Sequence, residues 1–132
     1  MIAIKKLDHI GIRIRDKQRS VSFYETLGFE MIEDKGFEQG HPVTMRHSCG
    51  IELNLLGPTS TAEDNNILMD IAEKHAGYTH IALQVTSIEE TVDYFNKLNY
   101  TITERMQFKN MKALFIRDPD RNVLEFDEYL SE

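Results

Sequence analysis

An α+β fold built from two tandem strand-helix-three-strand modules is predicted by two features of this 132-residue chain. Residues 7–14 and 78–85 both alternate apolar and polar side chains, as half-buried strands do, and the polar side of each begins with a histidine, His9 or His80. From His9/His80 through Glu33/Glu104 the two halves align without a gap at a constant offset of 71 residues. Such fixed-offset similarity indicates a duplicated supersecondary unit.

The composition is that of an ordinary globular domain, with 41% hydrophobic and 28% charged residues. The length fits a single domain spanning residues 1–132. The net charge of −7 and the scattered basic residues argue against a nucleic-acid or membrane partner. Because Cys49 has no second cysteine to pair with, and no signal peptide or membrane-spanning run is evident, we expect a cytoplasmic protein.

The first module is predicted to cover about residues 4–56. Its opening strand, about residues 4–15, leads to Asp16, a suitable N-cap for an amphipathic helix that continues through Ser20–Leu27 and ends at Gly28. Three more strands are predicted at residues 29–34, 43–48 and 51–56, separated by glycine-containing turns.

A linker of about residues 57–77 is predicted to contain a short helix at Asp64–His75, and the pattern then restarts in a second module of about residues 78–129. Ser87 opens a capping box where Asp16 stood. Further strands are predicted at residues 101–105, 111–117 and 123–129. The turn at 118–122 reads as longer than its counterpart at 48–50, which gives the last strands an offset of 73 if Glu52 corresponds to Glu125.

The last strand of each module carries a glutamate on its polar side. Alternation places Leu53 on the apolar face and Glu52 and Asn54 on the other, and it separates Leu124 and Phe126 from Glu125 in the same way. The polar sides of the first and last strands therefore hold His9, Glu52, His80 and Glu125.

Two imidazoles and two carboxylates form a mixed nitrogen and oxygen set that suits an octahedral divalent cation such as Ni²⁺, Co²⁺, Zn²⁺, Mn²⁺ or Fe²⁺. Without a cation, two carboxylates facing one another would repel, and one would take up a proton. A single such histidine is more often a structural or surface residue, but matched positions in both repeats favour a ligand role for the set.

These residues, with Asp118-Pro119-Asp120 before the last strand, resemble the vicinal-oxygen-chelate superfamily of glyoxalases, bleomycin-resistance proteins and extradiol dioxygenases, over essentially the whole chain. The resemblance implies that the modules form a barrel-like cup, that a divalent metal lies at their junction, and that the protein is a homodimer. The His-Glu-His-Glu set looks most like bacterial-type glyoxalase I, a lactoylglutathione lyase-like enzyme, with Glu52 as the residue that discriminates it from other members.

The implied activity converts the hemithioacetal of a 2-oxoaldehyde and a thiol to a 2-hydroxyacyl thioester through an enediolate. Ni²⁺ or Co²⁺ would be the cofactor, Glu125 the base and Glu52 its partner. Arg13 matches the family position that binds the charged end of the thiol. The matching asparagine is replaced by Leu56, the nearest being Asn54, which leaves open whether the thiol is glutathione.

Two alternatives remain at this stage. The first is another enolate-forming, epimerase-like enzyme of the same fold. The second is a small-molecule binding or resistance protein without turnover. The sequence also leaves open the native metal and whether the site lies within one chain or is shared between subunits.

Overall fold

The structure is a computed structural model that describes residues 1–61 and 65–130. It divides into two compact units, unit 1 (Met1–Glu63) and unit 2 (Asp64–Glu132). Each unit holds one helix and a four-stranded sheet, so the predicted α+β class and the duplicated strand-helix-three-strand plan are confirmed. The unit boundary falls inside the predicted linker, whereas the single-domain arrangement and the closed cup stay predictions.

Unit 1 contains four strands in the sheet order β1-β4-β3-β2. β1 is parallel to β4, and the other two pairings are antiparallel. The elements are β1 (Ile10–Arg13), α1 (Lys17–Thr26), β2 (Phe29–Asp34), β3 (Val43–His47) and β4 (Glu52–Leu56), with a 3₁₀ turn at Phe37–Gln39.

Unit 2 repeats this topology in the sheet order β5-β8-β7-β6, again with one parallel pair, β5 and β8. Its elements are β5 (His80–Gln84), α2 (Ile88–Lys97), β6 (Glu104–Gln107), β7 (Met111–Arg117) and β8 (Val123–Tyr129). The first and last strands of each unit are therefore neighbours, which brings the polar sides of these strands together.

Both helices begin where the sequence predicts. The side chain of Asp16 accepts a hydrogen bond from the backbone N–H of Arg19 at 2.8 Å, and Ser87 accepts one from Glu90 at 3.1 Å. Each bond satisfies an N–H that has no partner within the helix, which typically stabilises it by about 1 kcal/mol. The predicted caps are thus confirmed.

Equivalent aromatic residues anchor the two helices in the apolar cores. Tyr24 of α1 and Phe95 of α2 are each 1% exposed. Tyr24 meets the ring of Phe29 edge-on at 6.0 Å, and Phe95 meets Phe126 at 5.2 Å. The buried sides of the last strands complete these cores with Leu53, Leu55, Leu124 and Phe126, as the alternation predicts.

The strand registers correct the predicted offset of 73 between the last strands. Gly11 pairs with Asn54 in unit 1, and Ala82 pairs with Glu125 in unit 2, so these partners are 71 residues apart on both strands. The β-hairpins agree, because Arg46 pairs with Glu52 and Arg117 pairs with Val123. Five residues lie between the partners in each hairpin, so the turn at 118–122 is not longer than its counterpart.

Left-handed backbone positions follow the same offset. Gly28, at φ 96°, corresponds to Asn99, at φ 59°, where each helix gives way to the next strand. Gly50, at φ 104°, corresponds to Arg121, at φ 67°, in the last hairpin. An arginine in this region is uncommon, so the duplicated fold retains the turn even where the residue is poorly suited to it.

Three predicted elements differ from the structure. The first strand is limited to Ile10–Arg13 because β4 offers partners to these residues, and the preceding segment is exposed, with Leu7 at 71%. The predicted helix at Asp64–His75 is not formed by its described part, which begins at 65: turns occupy this stretch, and Ile67 is 56% exposed. Asp64 lies outside the described residues. The strand predicted at 101–105 begins later, as β6.

In the described part of the chain, no helix is both long enough and apolar enough to span a membrane.

Candidate metal and active site

In unit 2 a histidine and a glutamate on neighbouring parallel strands lie in direct contact. His80 opens β5, Glu125 lies within β8, and His80 Nε2 is 3.0 Å from Glu125 Oε1. The other ring nitrogen of His80 shares a hydrogen bond of 2.8 Å with Thr79 Oγ1, and the ring meets Phe115 edge-on. A partner on the second nitrogen fixes ring orientation, as it does for many metal-binding histidines.

Glu125 shares its strand face with a second carboxylate, Asp127. The side chain of Glu125 is 15% exposed, and Asp127 is buried at 7%. Burial, followed by the hydrogen bond with Asp127 and the charge of Asp127, raises the pKa of Glu125 from its ordinary 4.5 to about 7. Among the described residues, Asp127 Oδ1 is buried without a hydrogen-bond partner. A cation bound at this face would stabilise the charged form of Glu125 and so oppose this rise in its pKa.

The corresponding face of unit 1 carries different pairs. His9, just before β1, has its Nδ1 2.7 Å from Asp8 Oδ2, and this hydrogen bond lowers the pKa of Asp8. Glu52 Oε1 accepts a hydrogen bond from Arg46 Nη2 at 3.1 Å. Asn54 Oδ1 accepts one from Thr44 Oγ1 at 3.0 Å. Arg46 and Thr44 both lie on β3, directly across from Glu52 and Asn54.

Arg13 ends β1 on the side of the strand that also carries Gly11, and it is exposed. Leu56 is its register partner on β4. The apolar Leu56 is therefore the neighbour of Arg13 at the position where the resemblance implies an asparagine. Asn54 is the preceding residue on the same face of β4.

The donor types and spacing in unit 2 fit a divalent cation. Two ligand atoms at right angles, each about 2.1 Å from an ion, are separated by about 3.0 Å. His80 Nε2 and Glu125 Oε1 already have this separation. Within residues 1–61 and 65–130, no group of three or more His, Cys, Asp or Glu side chains is placed to hold a metal. The four-residue ligand set therefore stays a prediction.

Sequence reasoning did not anticipate the pairing of Glu52 with Arg46. The signal was present in the hairpin, since a turn centred on Cys49-Gly50 places residues 46 and 52 opposite each other. Recognising this pair requires the hairpin register, whereas the sequence comparison aligned Glu52 with Glu125 because both are glutamates.

A duplicated unit with a parallel first and last strand, joined by a helix and a meander, defines a fold class. The family profile of the Glyoxalase/Bleomycin resistance protein/Dioxygenase superfamily matches residues 6–126. The chain belongs to this superfamily.

Individual relatives are more distant. The lactoylglutathione lyase of Schizosaccharomyces pombe is 25% identical over 139 residues, which covers 91% of this chain and 46% of that protein. The chain thus spans about half the length of this curated relative.

Solved structures share the fold across nearly the whole chain. A glyoxalase family protein from Enterococcus faecalis is 24% identical, with a TM-score of 0.75, and covers 94% of this chain and 98% of its own. TnmS3, an antibiotic-binding protein from Streptomyces sp. CB03234, is 16% identical, with a TM-score of 0.73, and covers 98% of this chain and 99% of its own.

Proposed function

We propose that this protein is a metal-dependent lyase or isomerase of glyoxalase I type that acts on the adduct of a 2-oxoaldehyde and a thiol. The observation that carries the proposal is the contact between His80 and Glu125, in which Nε2 and Oε1, the two atoms that could bind a metal, are 3.0 Å apart. The match to the superfamily and the similarity to a lactoylglutathione lyase support the same reaction class.

The metal-binding residues proposed from the sequence are His9, His80 and Glu125, with Glu52 as the fourth. Ni²⁺ or Co²⁺ is the first candidate, and Zn²⁺, Mn²⁺ or Fe²⁺ also suits nitrogen and oxygen donors. Such a cation would act as a Lewis acid on the substrate oxygens, which favours loss of a proton from the adjacent carbon.

Glu125 is the proposed base that moves this proton between the two adjacent carbons. It lies on a rigid strand, and Asp127 and His80 contact or flank its carboxylate. Its position is thus set by neighbours, which is what proton transfer over a hydrogen-bond distance requires. Glu52 is the partner that the sequence proposes for the second proton transfer.

Arg13 is proposed to bind the charged end of the thiol. Its guanidinium is exposed on the polar side of β1, and Asn54 can supply an amide one position along. Because Leu56 stands where the family has its asparagine, the thiol need not be glutathione, and the assay must include others.

A second candidate function is small-molecule binding without turnover. TnmS3 shares the fold and is an antibiotic-binding protein. What speaks for the enzyme is the contact between His80 and Glu125, since a binding protein has no need of these two metal-binding groups side by side.

The test is a coupled measurement of metal content and activity on purified protein. We expect about one divalent ion per site, and thioester formation from methylglyoxal with one of several thiols after Ni²⁺ or Co²⁺ is restored. Glu125→Gln should abolish turnover, whereas Glu89→Gln, which removes an exposed ion pair of 2.7 Å with Arg105, should not.

The outcomes separate the candidates. Bound metal without turnover with any thiol would end the glyoxalase proposal and direct attention to another enolate-forming reaction. Absence of metal binding would favour the binding protein. Size-exclusion chromatography with light scattering would test the proposed homodimer in the same samples.

A further inference from the structure

We propose that His47 is a pH-sensitive switch for the β3–β4 hairpin of unit 1. Neutral His47 closes the tip of this hairpin, and protonated His47 opens it. The tip is residues 48–51, which connect His47 at the end of β3 to Glu52 at the start of β4. The switch is independent of the proposed function, because it uses no substrate and no metal.

The tips of the last hairpins in the two units close in the same way. In unit 1 the backbone N–H of His47 donates to the carbonyl of Ile51 at 2.9 Å, and the N–H of Gly50 donates to the carbonyl of His47 at 2.9 Å. The equivalent two bonds in unit 2, which lie 71 residues further on, involve Asp118 and have the same length. His47 therefore occupies the place of Asp118.

A side chain makes a third bond in each tip. Asp118 Oδ1 accepts a hydrogen bond from the backbone N–H of Asp120 at 2.9 Å, and His47 Nδ1 accepts one from the N–H of Cys49 at 3.0 Å. A carboxyl group has an acceptor oxygen whether or not it is protonated, but Nδ1 of an imidazole accepts only without its proton. Imidazole ordinarily takes up a proton near about pH 6.5, so unit 1 has a titratable acceptor where unit 2 has a permanent one.

The surroundings of the His47 ring keep Nδ1 directed at Cys49. The ring meets Phe29 edge-on at 5.2 Å, and a Cβ added to Gly28 would lie only 2.9 Å from Nε2. Because the ring is packed against these residues, protonation of Nδ1 sets two N–H groups against each other. The exposed N–H of Cys49 would then turn to water.

The charged groups around His47 do not replace this control. The elements packed against the ring are the end of α1, β2 and the tip, and the titratable or charged side chains on them or beside them are those of Glu25, Glu30, Arg46, Cys49 and Glu52. Glu25 and Cys49 are exposed. The other three form a register row one residue away from that of Phe29 and His47, so their side chains lie on the opposite face of the sheet. Within residues 1–61 and 65–130, His47 has no ion-pair partner.

The opening is confined to the tip. Protonation removes one of three bonds, while the two backbone bonds and the ion pair between Arg46 and Glu52 remain. The tip of unit 1 should therefore loosen below about pH 6, whereas the tip of unit 2 stays closed.

The test is nuclear magnetic resonance of the full chain between pH 8 and pH 5. Protection of the Cys49 amide against hydrogen exchange, corrected for the intrinsic rate at each pH, should fall about fivefold, as expected for loss of one hydrogen bond of ordinary net strength. This fall should follow the titration of the His47 ring resonances. Asp120, the matched amide in unit 2, should keep its protection.

Two variants separate the switch from a general effect of acid. His47→Asn keeps an acceptor oxygen that does not titrate, so the protection of Cys49 should stay constant with pH. His75→Asn removes an exposed histidine elsewhere and should leave the fall unchanged.

Constant Cys49 protection while His47 takes up a proton would overturn the proposal, and so would a His47 ring that takes up no proton between pH 8 and pH 5. Both results come from the unaltered protein and do not require a variant to fold. An equal fall at Asp120, or a fall at Cys49 that persists in His47→Asn, would also overturn it.

Discussion

Unit 1 and unit 2 share their strand order and register but differ in the residues on their polar faces. In unit 2, His80 contacts Glu125, and burial together with the neighbouring Asp127 raises the pKa of Glu125. At the equivalent steps unit 1 has His9, Asn54 and Leu56. The difference shows that duplication preserved the scaffold more strictly than the functional side chains.

The scaffold positions that remained constant are those fixed by packing or backbone conformation. Tyr24 and Phe95 fill the same place under the two sheets, and Gly28 and Asn99 take the same left-handed turn. Polar positions tolerate exchange because their contacts are local, as in the Thr44–Asn54 pair. Variants in matched positions can test this division.

The largest expected effect is on the shared core. Phe95→Ala and Tyr24→Ala should each lower the free energy of unfolding by about 3–5 kcal/mol, because each leaves a cavity under its sheet. Urea unfolding followed by circular dichroism measures this. Tyr94→Ala, at a position 45% exposed, is the control and should change stability far less. A large loss for one core residue and a small loss for the other would mean that the units are not packed alike.

The next effect concerns the histidines. His80→Ala should weaken Ni²⁺ binding by at least about 100-fold, because loss of a direct ligand exceeds the usual cost of losing a neighbouring contact. Calorimetry on the purified variant gives the dissociation constant. His75→Ala, in an exposed segment, is the control. If His80→Ala binds Ni²⁺ as tightly as the unaltered protein does, His80 is not a metal ligand.

A smaller effect concerns stability against pH in the metal-free protein. The pKa of Glu125 is raised to about 7, so its protonated form favours folding, and this contribution is lost as pH rises from about 4.5 through 7. Glu125→Gln should therefore gain about 1–2 kcal/mol relative to the unaltered protein between pH 5 and pH 8.

The measurement is thermal unfolding across this pH range. Asn54→Gln provides the control at the equivalent step of unit 1, since it removes no titratable group, and its difference from the unaltered protein should stay constant with pH. A Glu125→Gln difference that is equally flat would contradict the assigned pKa.

The smallest effect concerns the last hairpins. Gly50→Ala should cost about 1 kcal/mol, because φ is 104° and no atom within 4 Å of the added Cβ offers a compensating contact. Arg121→Gly should stabilise by up to about 1 kcal/mol, since it relieves a left-handed arginine. Urea unfolding again gives both values. A destabilised Arg121→Gly would show that the contact with Asp70, at 3.6 Å, outweighs the backbone term.

Much of the fold could be predicted because it depends on local pattern. Alternation located β2, β3, β4, β7 and β8 nearly to the residue, and the caps at Asp16 and Ser87 located both helices. These features need only the side-chain period and a capping group, both of which are visible in a short stretch of sequence.

The remaining differences depend on pairing between distant segments. The first strand could not be limited to Ile10–Arg13 without knowing where β4 begins, and the offset of the last strands could not be fixed without the hairpin register. In the candidate site, alternation predicted which face carries Glu52 and Glu125. It could not predict that Arg46 forms an ion pair with Glu52, or that Asp127 lies beside Glu125 and raises its pKa.

Side-chain hydrogen bonds within unit 2 hold the segment that precedes β5 against β7 and the turn after it. Asn66 Nδ2 donates to the carbonyl of Arg121 at 3.1 Å, and Arg117 holds Asp70 through two bonds of 2.8 Å. A polypeptide cut upstream of Asn66 would leave this clasp whole in the C-terminal fragment. Expressing that fragment alone would test whether these contacts hold the segment in place without unit 1.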